Sequence, residues 1–220
     1  MTQVYGSSVS YEEFLPEVMQ YVPDVPELVA TNAIRNSCIE FCERTRYLQL
    51  DLDPISVVAN QANYPVSTPV DTKFVLPEVA YYDKVLLIPK SSDELANIYR
   101  QTDWRQAQGA PAYITRLIAP VICVVPTPVF SSEDTLNLRV SIAPTRDSSD
   151  IDSEIYEQFL EVISYGARAR LYNTPKQAYF DKQAAAEYFQ MYRHGINEAR
   201  MRVVKGLTRD SVRAEFQRFV

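Results

Sequence analysis

The side chains of this 220-residue sequence best suited to nucleophilic or metal chemistry are one histidine, His194, and three cysteines, Cys38, Cys42 and Cys123. A Ser–His or Cys–His pair would have to recruit His194. That residue stands beside Arg193 on the watery side of a long helical pattern, and it reads as a solvated histidine. Cys38 and Cys42 are four apart among helical apolar residues, and Cys123 sits in an apolar strand run, so all three read as reduced, buried thiols. A metal site would need more ligands than these. The carboxylate pairs Glu12/Glu13 and Asp51/Asp53 fall at a helix start and a loop start, where capping and solvation account for them. There is no GxSxG and no phosphate-cradling glycine loop, and the chain holds only five glycines. The expectation is therefore no catalytic residue, no cofactor, no metal and no enzymatic activity.

The strongest helical signals are C-terminal. Asp152 is placed to cap a helix, with Glu154 and Glu157 near the positive end of its dipole. Ile155, Phe159, Val162, Gly166 and Ala169 form one apolar stripe, and Leu160, Ile163, Ala167 and Leu171 form a second beside it. A helix apolar on two faces is packed on two sides. Gly166, Ala167 and Ala169 are small enough to let another backbone come close. Thr174, Pro175 and Gln177 read as a capping box opening a second helix. It runs to about residue 204 before Gly206, and thirty residues span roughly 45 Å. Ala185, Tyr188, Tyr192, Ile196, Ala199 and Val203 form its inner stripe. This hairpin is core, and Gly166, Ala169, Tyr188 and Tyr192 are also candidates for packing against another subunit.

At the N-terminus, Ser10 with Glu13 and Asp24 with Glu27 read as two more capping boxes. They open a short helix that ends at Pro23 and a second helix that runs to about Tyr47. From Leu50 prolines recur and long helices are forbidden. Short strands are expected at 55–58, 84–88, 98–100, 112–115, 121–125 and, most clearly, 136–143, where apolar and polar residues alternate. Residues 91–96 add one helical turn. Trp104 reads as a packing anchor. A polar pocket around Tyr81, Tyr82, Trp104 and Arg105 would instead favour a small enzyme with its site in this stretch.

The fold class expected from this order is α+β and mainly helical. It is a four-helix bundle of two N-terminal and two C-terminal helices, with a very long last helix, carrying an inserted small antiparallel β domain. The boundaries read as 1–49 for the first helices, 50–145 for the insert, 146–206 for the hairpin and 207–220 for a tail. The tail holds Arg209, Arg213, Phe216, Arg218, Phe219 and Val220. Alone it cannot bury those groups, so it is either frayed or ordered by a partner.

Hydrophobic residues make up 46% of the chain and charged residues 23%, the balance of a globular protein. No apolar run is long enough to span a membrane, and the first residues do not form a secretory signal, which points to synthesis in a cytoplasm. Residues 1–151 hold 19 acidic and 11 basic side chains, whereas residues 152–220 hold 9 and 11. The acidic excess of the first part argues against binding that tracks nucleic-acid phosphates.

The order of elements resembles the head-to-tail connector (adaptor) proteins of tailed bacteriophages, the group that includes the podophage tail tubular protein A. The resemblance is carried by LPEVMQYVPDVPELVATNAIRNSCIEFCERT, then WRQAQGAPAYIT, VICVVPTP and LRVSIAPTRDSSDI, and above all by IYEQFLEVISYGARARLYNTPKQAYFDKQAAAEYFQMYRHGINEARMRV. It implies a structural virion protein of the neck, made in the host cytoplasm. Twelve copies would form a ring beneath the portal, extend the DNA channel for non-specific passage of the genome, and carry the next tail or nozzle protein. It further implies that the C-terminal segment docks onto the portal, with Arg209, Arg213 and Arg218 meeting carboxylates and Phe216 and Phe219 filling gaps. Another tail-completion or baseplate component is the neighbouring reading.

Overall fold

The computed structural model describes residues 7–100 and 103–205. The described residues divide into two compact units, one within 48–148 and one that joins 7–47 to 149–205. The expectation of a mainly helical four-helix bundle is overturned. The structure is 42% helical and 27% strand, with five helices and three sheets among the described residues. Non-local pairing, which leaves little trace in local periodicity, builds far more sheet than the short runs suggested.

In the helical unit, three helices pack together: α2 (Glu27–Thr45), α4 (Ser153–Tyr172) and α5 (Lys182–Lys205). The first helix, α1 (Leu15–Met19), has only five residues and follows a single 3₁₀ turn at Tyr11–Phe14, so it supplies no fourth rod. A two-stranded antiparallel ribbon pairs β1 (Ser8–Ser10) with β11 (Asp150–Asp152) and ties the two parts of the unit together. Asp152 caps α4 as expected, its Oδ1 accepting from the Glu154 N–H at 2.8 Å.

Neither N-terminal capping box forms. Ser10 accepts from the Glu12 N–H, as suits a tighter 3₁₀ turn, and α2 starts at Pro26 with no side-chain cap. The Thr174 box is absent too. Residues 174–181 are turn and loop, and α5 begins only where Asp181 Oδ1 accepts from Gln183 and Ala184 N–H. Its 24 residues make it about 36 Å long and not 45.

In the β unit, β10 (Ser132–Pro144) is the central strand of one sheet. It pairs with β2 (Gln49–Asp51) and β3 (Ile55–Val57), and with the eleven-residue β5 (Thr72–Tyr82), which in turn pairs with β6 (Val85–Leu86). The second sheet orders β4 (Asn63–Pro65), β9 (Val121–Val125), β8 (Tyr113–Arg116) and β7 (Ile88–Pro89). The β7–β8 pair is parallel, so the unit is not purely antiparallel.

The two faces of β9 explain its unbroken apolar sequence. Ile122 and Val124 join the core shared with Leu136, Leu138, Val140 and Ile142 of β10. Cys123 and Val125 join a second core with Leu95 and Trp104. A strand buried on both faces loses its polar alternation. In place of the strand expected at 98–100, Ile98 ends α3 (Ser92–Ile98) and residues 99–100 are turn; the start of α3 has a complete capping box between Ser91 and Glu94. The run expected at 84–88 splits into β6 and β7, which belong to different sheets.

Candidate functional site

The helical unit carries a groove of about 420 Å³. Gly166, Ala169 and Arg170 of α4 form its floor, and Lys182, Ala185, Phe189 and Tyr192 of α5 form one wall, with Glu40 of α2 at the rim. Its depth follows from side-chain size: the apolar positions of α4 here are glycine and alanine, so α5 approaches closely and leaves a channel beside the contact.

Two reciprocal contacts set that approach. A Cβ on Gly166 would lie 2.8 Å from the Tyr192 ring, and a Cβ on Gly195 of α5 would lie 2.6 Å from Val162 of α4. The Tyr192 hydroxyl donates to the Ser37 carbonyl of α2 at 2.7 Å, so one side chain joins all three helices. Burial, and after it the Glu40 carboxylate, pushes the Tyr192 hydroxyl well above the usual tyrosine range.

A second cluster surrounds Arg168, which is 2% exposed. Its guanidinium lies 3.7 Å from the centroid of the Tyr21 ring, with the rings of Tyr188 and Tyr165 at 5.4 and 5.6 Å. Nη2 donates to the Glu17 carboxylate at 2.7 Å and to the Glu17 carbonyl. Tyr172 stacks on Tyr188 at 5.8 Å, and its hydroxyl donates to the Tyr21 carbonyl at 2.7 Å. The arrangement docks the α1 segment onto α4 and α5. It offers no open face to a substrate, because the charge is already paired and covered.

Among the described residues no group of three His, Cys, Asp or Glu side chains is placed to hold a metal ion. His194 is exposed, its Nε2 3.6 Å from Glu198 Oε1 one turn on. Cys38, Cys42 and Cys123 are all free and buried, and burial raises the thiols of Cys38 and, to about 11, Cys123. The described residues also present surface: a small-residue groove and exposed apolar side chains on both units.

A family model described as SU10 adaptor protein matches residues 9–215. The chain belongs to the SU10 adaptor protein family. It is a structural head-tail adaptor of a phage particle, from a family that works with portal and tail proteins. A search of curated proteins returns no match. No helix of the described residues is long and apolar enough to cross a membrane.

The expected site residues of this adaptor fall into two sets. Gly166, Ala169 and Tyr192 are buried and line the groove of the helical unit, whereas Tyr188 is half-buried and belongs to the Arg168 cluster. Arg209, Arg213, Phe216, Arg218, Phe219 and Val220 lie outside the described residues. The pocket that would have favoured an enzyme is not assembled from its expected members. Trp104 is 3% exposed in the second core, with Arg105 stacked over it at 4.3 Å. The shallow hollow at Tyr81 is lined by Asp51, Leu52, Val79, Asn137, Leu138 and Arg139, and includes neither Trp104 nor Arg105.

Sequence reasoning missed Gly195, Arg168 and Glu17. A glycine in mid-helix seven residues from another apolar anchor was a usable signal for Gly195. Arg168 gave none, because a cation inside a helical pattern ordinarily faces water.

Proposed function

We propose that this adaptor is a ring subunit. Twelve copies sit beneath the portal, prolong the DNA channel and give the tail its platform. Kinship with the podophage tail tubular protein A group belongs to the same reading. The observation that carries it is the family match over residues 9–215, which spans both compact units. A closed ring of identical chains uses two unlike surfaces on each subunit, because head-to-tail contacts must close. Gly166, Ala169 and Tyr192 contribute to one of them by shaping the groove, and Tyr188 contributes from the neighbouring Arg168 cluster.

The segment 205–220 docks onto the portal in this reading. Arg209, Arg213 and Arg218 pair with portal carboxylates, and Phe216, Phe219 and Val220 fill apolar gaps; arginine and aromatic anchors are the usual hot-spot types. The next tail or nozzle protein binds the ring on its other side. The genome passes without sequence-specific contact, which suits a chain of net charge −6.

The test is native mass of the full chain, alone and mixed with the portal of the same genome. A 25.1 kDa chain that joins the portal in twelve copies supports the reading. Removal of 207–220 should abolish that binding while leaving the circular dichroism spectrum and Tm unchanged. A full chain that ignores the portal at every concentration overturns the function, and a truncated chain that binds undiminished overturns the docking segment.

A further inference from the structure

Helix α5 carries a second face beside its buried one. Lys182, Phe189, Arg193, Arg200 and Val204 recur at intervals of seven, four, seven and four residues, so they share one side of the helix. All five are exposed, Val204 by 58%, and the face is continuous with the groove that Lys182 and Phe189 line. Arg193 lies 5.8 Å over the Phe189 ring, and among the described residues no carboxylate pairs with Lys182, Arg193 or Arg200. The face is cationic and apolar at once.

The same unit presents the opposite chemistry at the start of α2. Asp24 and Glu27 are exposed and unpaired among the described residues, and they immediately precede Leu28, 73% exposed, and Val29, 40% exposed. Two exposed apolar residues beside two carboxylates match an apolar face that carries cations.

We infer that the α5 face and its groove receive the α2 start of a second copy of this chain. Leu28 and Val29 cover Phe189 and Val204, and Asp24 and Glu27 meet Arg193 and Arg200. The contact is head-to-tail, since each copy offers one surface and uses the other, and it rests on the ring reading above. Rim charges of opposite sign select the partner and its register. Exposed pairs are screened by salt, so the association weakens as ionic strength rises.

Charge exchange tests the inference on the full chain, with copies per portal and sedimentation as readouts. Arg193→Glu with Arg200→Glu should weaken association about tenfold, and so should Asp24→Lys with Glu27→Lys. Mixing the two double variants should restore it, because the reversed α5 face of one then meets the reversed α2 start of the other. That rescue also excludes misfolding as the cause of the loss. If the wild type assembles and either reversal leaves assembly intact, this contact is wrong while the ring stands. Loss without rescue on mixing overturns the pairing as well. If a reversal leaves association between copies intact but lowers portal capture, the face serves the portal and the inference falls. A wild type that forms no ring, even on the portal, removes the ring reading and this contact with it.

Discussion

Gly166 lies directly beneath the ring of Tyr192: a Cβ there would sit 2.8 Å from Cε2 and 3.0 Å from Ser37 Cβ. The ring cannot swing aside freely, because its hydroxyl is bonded to the Ser37 carbonyl at 2.7 Å. Alanine in place of glycine gains up to about 1 kcal/mol of helix propensity. Overpacking a filled site costs roughly 1–3 kcal/mol, so the clash wins. Gly166→Ala should lower stability by about 1 kcal/mol and Gly166→Leu by about 3 kcal/mol in urea unfolding. A Gly166→Leu chain as stable as the wild type would mean that α4 and α5 are not packed this closely.

Arg168 holds the α1 segment through Glu17 and Tyr21. Removing one partner of a buried ion pair strands the other and opens a void among the tyrosines. Arg168→Met should cost about 3 kcal/mol, somewhat softened because Glu17 keeps some access to water. Arg168→Lys should recover little, since an ammonium cannot lie flat on Tyr21 and also reach both Glu17 oxygens. Thermal unfolding of the two variants checks this, and a lysine that restores the full Tm would reduce Arg168 to a simple charge.

Stability should fall on the alkaline side. The Tyr47 hydroxyl donates to Glu154 at 2.7 Å; burial and then that bond push it up to about 12 from 10.0. Tyr165 is also raised to about 12, first by its bond to Glu161 and then by burial. Their folded-state values exceed the unfolded ones. The contribution is therefore complete below pH 10 and is lost as pH rises from 10 through about 12. Denaturant midpoints measured across that window should decline, and Tyr47→Phe should flatten part of the slope. A decline that begins below pH 9 would point to other groups, where ordinary tyrosines remain protonated (reference value about 10).

The thiols should be silent in the native chain. Cys38, Cys42 and Cys123 are buried, and Cys38 and Cys123 are held as neutral thiols. The thiolate is the reactive form, so a disulfide reagent should label none of them until denaturant is added, and then all three. Rapid labelling of one cysteine in the folded chain would show that its packing opens locally.

Several elements were legible because one local interaction decides each. Asp152 was recognisable as the cap of α4, and the run at 121–125 as a buried strand, and both stand. The alternation of Leu136, Leu138, Val140 and Ile142 located β10, although on the other face Ser141 and Ala143 are buried where Asn137 and Arg139 are wet. The capping boxes show the opposite case. Ser10/Glu13, Asp24/Glu27 and Thr174/Gln177 all match the pattern, yet none forms, whereas the turn at residues 91–96 opens with the complete box. A box needs only a side chain and an N–H, and a 3₁₀ turn or a loop satisfies the same groups equally well.

The features readable from the residues alone were therefore local and compositional. The residues marked a folded chain with small residues on one helix, free thiols, an acidic first part, and a texture matching phage adaptors. The proportion of sheet, the eleven residues of β5, the reciprocal glycines and the caged Arg168 were decided only by the tertiary structure. Strand β5 contains Pro77 and shows no alternation, and it exists because β10 supplies partners along its length. Arg168 is buried because Glu17 and Tyr21, about 150 residues earlier in the chain, come to meet it. Each of these depends on a partner distant in sequence, and no local pattern encodes where that partner will be.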